Sequence, residues 1–251
     1  MTGAQKETVK KVKKNKQKIA VAPTQPLSFP MPNEMAIFRA NNTLSLGELL
    51  SKDDGSLLDV ASPSLVLTDF KSGPGRFLAI DCEFVGTGFK GSVSELARLS
   101  LVNYYGAVVY DSYVKPRAFV TDFRTKYSGI TRRHLANAIP FSEAQSVVDF
   151  FSSDSTLIGH GISNDLRVLS MSHLLNSTID TQVLQRFKEN QLIKGKPGLK
   201  RLLDLYFNIN IQSGAHDSVE DARSSMLIFR AFREEFLAQT SRRRSAYKGS
   251  R

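Results

Sequence analysis

The chain has 251 residues, 41% of them hydrophobic, which is enough for one sizeable core with appendages. Its formal net charge of +10 points to a polyanionic partner, and a single cysteine, Cys82, excludes an intrachain disulfide and fits a reducing compartment. No apolar run reaches the length of a membrane span, and the lysine-rich start lacks the apolar stretch of a secretory signal, so an intracellular, soluble protein is expected.

The charge is unevenly placed. Residues 1–25 hold seven lysines against Glu7, residues 241–251 hold five basic side chains, and everything between sums to −1. Residues 1–33 are therefore expected to form a basic, disordered tail that ends in a proline-containing linker (Pro23, Pro26, Pro30, Pro32). Such a lysine run suits a nuclear-import signal and a nucleic-acid tether. Residues 34–75 form an N-terminal extension with no functional reading, although 44–50 can make a short helix and 65–67 a short strand. The folded domain is expected over 76–238, and residues 239–251 form a basic C-terminal tail.

The domain opens with Phe77-Leu78-Ala79-Ile80-Asp81-Cys82-Glu83-Phe84, an apolar run interrupted by two acids. Side chains alternate along a strand, so Asp81 and Glu83 share one face while Ile80, Cys82 and Phe84 share the other. Close acids in a buried strand call for neutralisation, and a divalent cation supplies it; a plain edge strand with its polar face in water is the competing reading. Cys82 is expected to face the opposite core and to take no part in chemistry.

Gly86-Thr87-Gly88-Phe89-Lys90-Gly91 fits the dinucleotide-binding pattern G-x-G-x-x-G, but a second strand follows instead of the helix whose N-terminus must hold a pyrophosphate. A turn is the expected role, one that lets a substrate backbone approach the carboxylates. Residues 94–103 and 107–114 then read as strands joined at Tyr105-Gly106, completing an antiparallel meander. Helical spacing follows at 141–151, a short apolar strand at 157–160, and helices around Asp165, over 198–205 and over 219–237. Strands first and strand–helix alternation afterwards imply an α/β fold, a mixed sheet flanked by helices.

Asp165 sits in a first helical turn, where the helix dipole alone is reason enough for an acid. Asp221 says more. Ser218 to Asp221 resembles a capping box, yet Asp221 falls inside the apolar arc of Ala222, Met226, Phe229 and Phe236, and an acid facing a core is expected to be paired or metal-bound. His216 lies five residues earlier, in the loop entering that helix.

Asp81-x-Glu83, Asp165 and His216-x4-Asp221 together resemble the motif set of the DEDDh exonucleases, which have an RNase H-like fold. Ala79 to Gly86, Ser128-Gly129-Ile130, Gly159-His160-Gly161 with Asn164-Asp165-Leu166, Asp180-Thr181-Gln182 and His216 to Arg223 are similar to the eukaryotic RNA exonuclease 4 branch over about residues 76–237. Gly161 and Ala215 depart from residues common among relatives, neither at a metal-ligand position. The resemblance implies two Mg²⁺ or Mn²⁺ ions. Asp81 would bridge both, Glu83 and Asp221 would complete one site, Asp165 would support the second through water, and His216 would take the proton of the attacking water. It further implies Phe84, Gly86, Thr87, Gly88, Phe89, His160 and Asn164 as contacts of the terminal nucleotide, with Phe84 or Phe89 stacking on a base. The expected activity is 3′-to-5′ removal of nucleoside 5′-monophosphates from RNA, in ribosomal RNA precursor processing, at a nuclear or nucleolar address. A DNA-directed exonuclease and a catalytically dispensable RNA-binding assembly factor are the alternatives.

Overall fold

In the computed structural model the chain is described over residues 74–212 and 214–249. The lysine run, the proline linker and the short elements expected at 44–50 and 65–67 lie outside those residues.

The sheet is built on β1 (Phe77–Thr87), which runs antiparallel to β2 (Val93–Asn103), itself antiparallel to β3 (Val108–Lys115). These three strands are the meander legible in the sequence. Three further strands are two or three residues long, too short to show periodicity: β4 (Val120–Asp122), β5 (Ile139–Pro140) and β7 (Thr178–Asp180). With β6 (Thr156–Gly159) they complete a seven-stranded mixed sheet in the order β5-β3-β2-β1-β6-β7, in which β5, β6 and β7 pair in parallel. β4 pairs antiparallel with Gly86 and Thr87, on the edge of β1 that β6 leaves open.

β1 is central, and both of its faces are covered. Leu78, Ile80 and Cys82 pack with Leu99 and Leu101 against α2 (Phe141–Ser152) and α3 (Ser163–Val168). Phe77 and Ala79 face the opposite way, into a core with α5 (Leu199–Phe207) and α6 (Ser218–Ala231), beside α4 (Gln185–Glu189). A third, smaller cluster of Val85, Ala97 and Ile130 anchors α1 (Thr125–Ser128) and its flanks over the far end of β1 and β2.

One helix differs from its expected extent. The apolar spacing over 219–237 suggests a single helix, but Phe232 leaves helical geometry (φ −116°, ψ 25°), and a separate helix, α7, runs from Arg233 to Gly249. At the break the half-buried Phe232 ring packs edge-on against Phe187, Tyr206 and Phe207. The boundary drawn at residue 238 therefore falls within a helix. Among the described residues no helix is long and apolar enough to cross a membrane.

The glycine-rich loop closes on itself. A Cβ on Gly86 would stand 2.7 Å from Gly91 Cα and 2.8 Å from Gly91 O, so the backbone that approaches Gly86 is that of its own loop. Gly91 leads within two residues into β2, and no helix follows it. Because the clash in Gly86→Ala involves backbone on both sides, we expect a loss of about 1–3 kcal/mol in urea unfolding; unchanged stability would show that the loop is not packed in this way.

Candidate active site

Alternation along β1 places Asp81 and Glu83 on the face begun by Phe77 and Ala79, the face that α6 covers. α6 brings Asp221 there in its first turn, only 3% exposed. Carboxylate oxygens of Asp81, Glu83 and Asp221 all lie within 4.8 Å of one another.

The start of α6 is fastened to the sheet by a network that periodicity does not reveal. Asp217, not Ser218, is the N-cap, its Oδ1 accepting from the backbone N–H groups of Val219 and Glu220. Its other oxygen accepts from Arg98 Nη1 at 2.8 Å, while Arg98 Nε and Nη2 form a two-pronged contact with Asp111, both prongs 2.8 Å. Arg98 stands opposite Glu83 in the β1–β2 ladder, so the clamp that sets α6 also brings positive charge beside an acid of the site. Ser218 is fully buried, its Oγ 2.6 Å from Ser100 Oγ, which in turn donates to Asp111. The capping-box expectation is thus off by one residue: the longer Asp217 side chain satisfies the helix N–H groups and the guanidinium together.

His216 lies in the loop before the cap, its backbone N–H donating to Tyr127 O at 2.7 Å and its side chain 43% exposed. Its Nδ1 is 3.3 Å from Asp221 Oδ2. Gln212, which the sequence did not single out, points its amide nitrogen at both Asp221 oxygens (3.0 Å each) and at His216 Nδ1 (3.3 Å). The Gln212 backbone has φ +55°, uncommon for a side-chain-bearing residue, and this turn directs the amide inward.

Asp165, 5% exposed on α3, stands outside the trio yet close enough for its charge to act on Asp81. Cys82 hydrogen-bonds to Asp165 through both thiol and backbone. Cys82 packs in the core shared with α2 and α3, the face expected from alternation along β1.

The remaining candidates are scattered in their exposure. Gly88, Phe89 and Asn164 are accessible, Phe89 at 80%. Gly86 and Thr87 are buried, and half-buried Phe84 packs toward the α2–α3 core. The His160 ring is engaged on both sides, with Nε2 2.9 Å from Pro197 O and Nδ1 3.0 Å from Thr181 Oγ1. Nε2 carries the proton that the Pro197 carbonyl accepts, and burial lowers the pKa of the ring.

Burial and mutual repulsion dominate the electrostatics. Asp81 is driven well above the carboxylate range by burial first, then by Asp165, Asp221 and Glu83. Glu83 is pushed up to about 8 by burial and by Asp221, against the pull of His216 and Arg98. Asp165 is pushed up to about 7 by burial, despite its own backbone N–H and the bonds from Cys82. Burial also works to raise Asp217, but Arg98 and the α6 N–H groups hold it below its ordinary range. Glu83 Oε1 is buried with no hydrogen-bond partner. An orphaned carboxylate oxygen beside two converging acids fits a hard divalent cation bound through oxygen.

Comparison with known proteins agrees with this geometry. A sequence profile of the family described as Exonuclease matches residues 78–229. RNA exonuclease 4 of Debaryomyces hansenii is 40% identical over 216 residues, covering 86% of this chain and 78% of that protein. RNA exonuclease 4 of Candida albicans is 38% identical over 231 residues, covering 88% and 74%. Among solved structures, the Neurospora crassa Pan2 catalytic unit, with its protease and nuclease domain, superposes with a TM-score of 0.55 at 27% identity, over 71% of this chain and 30% of that chain. The Saccharomyces cerevisiae Pan2 pseudoubiquitin hydrolase–RNA exonuclease module in complex with AAGGAA RNA gives a TM-score of 0.57 at 24% identity, over 74% and 33%, a likeness of fold alone. This chain thus spans about a third of those solved chains.

The chain belongs to the DEDDh exonuclease family and has its RNase H-like fold. Within that family it stands in the RNA exonuclease 4 branch, and it is a 3′-to-5′ exonuclease, a phosphodiester hydrolase.

The acids set a pH dependence for the chelated protein. A carboxyl group whose folded pKa is raised binds its proton more tightly folded than unfolded, so stability falls as pH climbs from the unfolded value, 4.5 for Glu83, through the folded one, about 8. Asp165 acts in the same direction, from 3.8 to about 7. His216, also raised, chiefly by its hydrogen bond to Asp221, contributes stability that is likewise lost as pH rises through its folded pKa. In EDTA, Tm is expected to drop by roughly 5 °C or more between pH 5 and 8, with Mg²⁺ restoring it at pH 8 and Glu83→Gln flattening the slope. A Tm that is level or rising over that range contradicts the assignment.

Proposed function

We propose that this exonuclease is a metal-dependent exoribonuclease that releases nucleoside 5′-monophosphates stepwise from RNA 3′ ends, with ribosomal RNA precursors as its substrate. The observation that carries the reading is the convergence of half-buried Asp81 with buried Glu83 and Asp221, with Glu83 Oε1 left unpartnered. The preference for RNA is supported by relatives named RNA exonuclease 4.

Two Mg²⁺ or Mn²⁺ ions suit this donor set of hard oxygens, and when bound they supply positive charge at the scissile phosphate and an acidified water. Asp81, Glu83 and Asp221 would hold that charge in place from two rigid elements, a central strand and a buried helix. Asp165 would contribute from α3, close enough to Asp81 for its charge to be felt there. His216 Nδ1 is turned toward Asp221 and Gln212, which leaves Nε2 of this 43%-exposed side chain to take the proton of the attacking water. Gly88, Phe89 and Asn164 remain open to the terminal nucleotide. The basic ends of the chain suit a nuclear or nucleolar address and an electrostatic hold on RNA that the near-neutral centre lacks.

The test uses 3′-extended RNA and DNA oligonucleotides digested with Mg²⁺, with EDTA, and with Asp81→Asn protein. We expect a Mg²⁺-dependent ladder from the RNA 3′ end, abolished by EDTA and reduced at least 100-fold by the substitution. Laddering that persists in Asp81→Asn would overturn the site. Equal or better cleavage of DNA would make the enzyme DNA-directed, and no cleavage of either would favour an RNA-binding factor.

A further inference from the structure

Gln212 lies outside the run from His216 to Arg223 that carries the family likeness, yet it touches both functional side chains of that run. The chain delivers it there by packing. α5 ends at Phe207, Asn208 turns the backbone through the left-handed region (φ 53°), and Ile209 and Ile211 bury in the core shared with α5 and α6. Gln212 follows at once, beside the start of α6. Its own φ of +55° is uncommon for a residue with a side chain and persists only where the surroundings fix it. Here its N–H donates to Glu220 Oε2 and its carbonyl accepts from Lys200 Nζ, both at 3.4 Å.

The side-chain amide nitrogen stands 3.0 Å from each oxygen of Asp221 and 3.3 Å from His216 Nδ1. The nitrogen, not the oxygen, faces Asp221, because an amide oxygen and a carboxylate are both acceptors. The two oxygens of one carboxylate subtend too narrow an angle at that nitrogen for each to receive its own N–H, so a single proton is shared between them. The shared proton uses one acceptor position on each oxygen. His216 Nδ1, 3.3 Å from Asp221 Oδ2, takes the second position on that oxygen. A carboxylate oxygen has two such positions, so Oδ2 is filled and Oδ1 keeps one open.

We propose that Gln212 is a positioning residue that divides the work of Asp221, leaving Oδ1 for a divalent cation and keeping Oδ2 for the His216 ring. This rests on the metal-dependent reading given above. For His216 Nε2 to accept a proton from water, the neutral ring must carry its own proton on Nδ1. Of the two groups that Nδ1 faces, only Asp221 Oδ2 accepts that proton, since Gln212 presents its amide nitrogen. One carboxylate thus serves both ion and base, and Gln212 fixes which oxygen serves which. Without the amide, the carboxylate is free to turn about its terminal torsion, whose preference is broad, and to offer both oxygens to the cation. The exposed ring then loses the contact that directs it.

Two substitutions in the full-length chain test this. Gln212→Met keeps the length of the side chain and removes its donors; Gln212→Asn keeps the donors, ends one methylene short of Asp221 and tolerates the left-handed backbone. Each would be titrated with Mn²⁺ in the presence of a nucleoside 5′-monophosphate, free Mn²⁺ being read by electron paramagnetic resonance, after Tm in EDTA confirms folding. Both are expected to bind Mn²⁺ about tenfold more weakly than wild type. On RNA at saturating Mn²⁺, both are expected to lower kcat about tenfold while KM stays within about twofold, the pattern of a lost transition-state contact rather than lost substrate binding. Wild-type Mn²⁺ affinity and kcat in both variants overturn the proposal even if Tm falls, because a purely structural role moves Tm alone. The Mn²⁺ titration decides even if the protein cleaves no RNA. Wild-type protein that binds no Mn²⁺ sinks the metal-dependent reading and this proposal with it, whereas wild-type binding matched by both variants sinks this proposal alone.

Discussion

Mutual repulsion among buried carboxylates is the constraint on which the rest of this structure depends. Asp81, Glu83 and Asp221 converge, and ionisation of Asp81 and of Glu83 is opposed first by burial and then by the neighbouring acids. Such a cluster is costly without a cation, and its cost explains the architecture around it. The acids come from β1, covered on both faces, and from a helix buried nearly all round, elements too well packed to splay apart under that repulsion.

Arg98 shows how the fold holds the charges in place without neutralising them. It does not reach into the trio with a direct bond. Its guanidinium is spent on Asp111 and Asp217, so it positions the first turn of α6 while lending Glu83 only a longer-range attraction. A direct ion pair with Glu83 would occupy the lone pairs that a metal needs. Holding the guanidinium on Asp111 and Asp217 keeps the Glu83 oxygens free and the helix in register. Gln212 works differently, through neutral amide contacts that orient the Asp221 carboxylate.

Much of the site was legible in the sequence because its largest constraints are periodic. Period two put Asp81 and Glu83 on one face of a strand, and period 3.6 put Asp221 inside an apolar arc; both follow from backbone geometry alone. Contacts between segments far apart in the chain have no such period. Arg98 meets Asp217 across 119 positions, and nothing local marks it. The cap was misplaced by one residue because Ser218 fits the local pattern as well as Asp217 does, and only the guanidinium across the sheet separates them. Cys82 was assigned correctly to a face, but what else occupies that face depends on where α3 lands. The break at Phe232 was hidden for the same reason: the residue is a good apolar match to helix spacing, and only the aromatic cluster of Phe187, Tyr206 and Phe207 pulls it out of line. The strands β4, β5 and β7 are too brief to carry a pattern, yet β4 builds the rim beside the glycine-rich loop.

The central claim is that the β1 acids and the helix acids form one site for two divalent ions. Its most direct test is a count of Mn²⁺ bound per chain, by calorimetry and electron paramagnetic resonance, in the presence of a nucleoside 5′-monophosphate. Two ions per wild-type chain, magnetically coupled and reduced to one or none by Glu83→Gln, are the expected result. One weakly held ion per chain, indifferent to Glu83→Gln, would contradict the account.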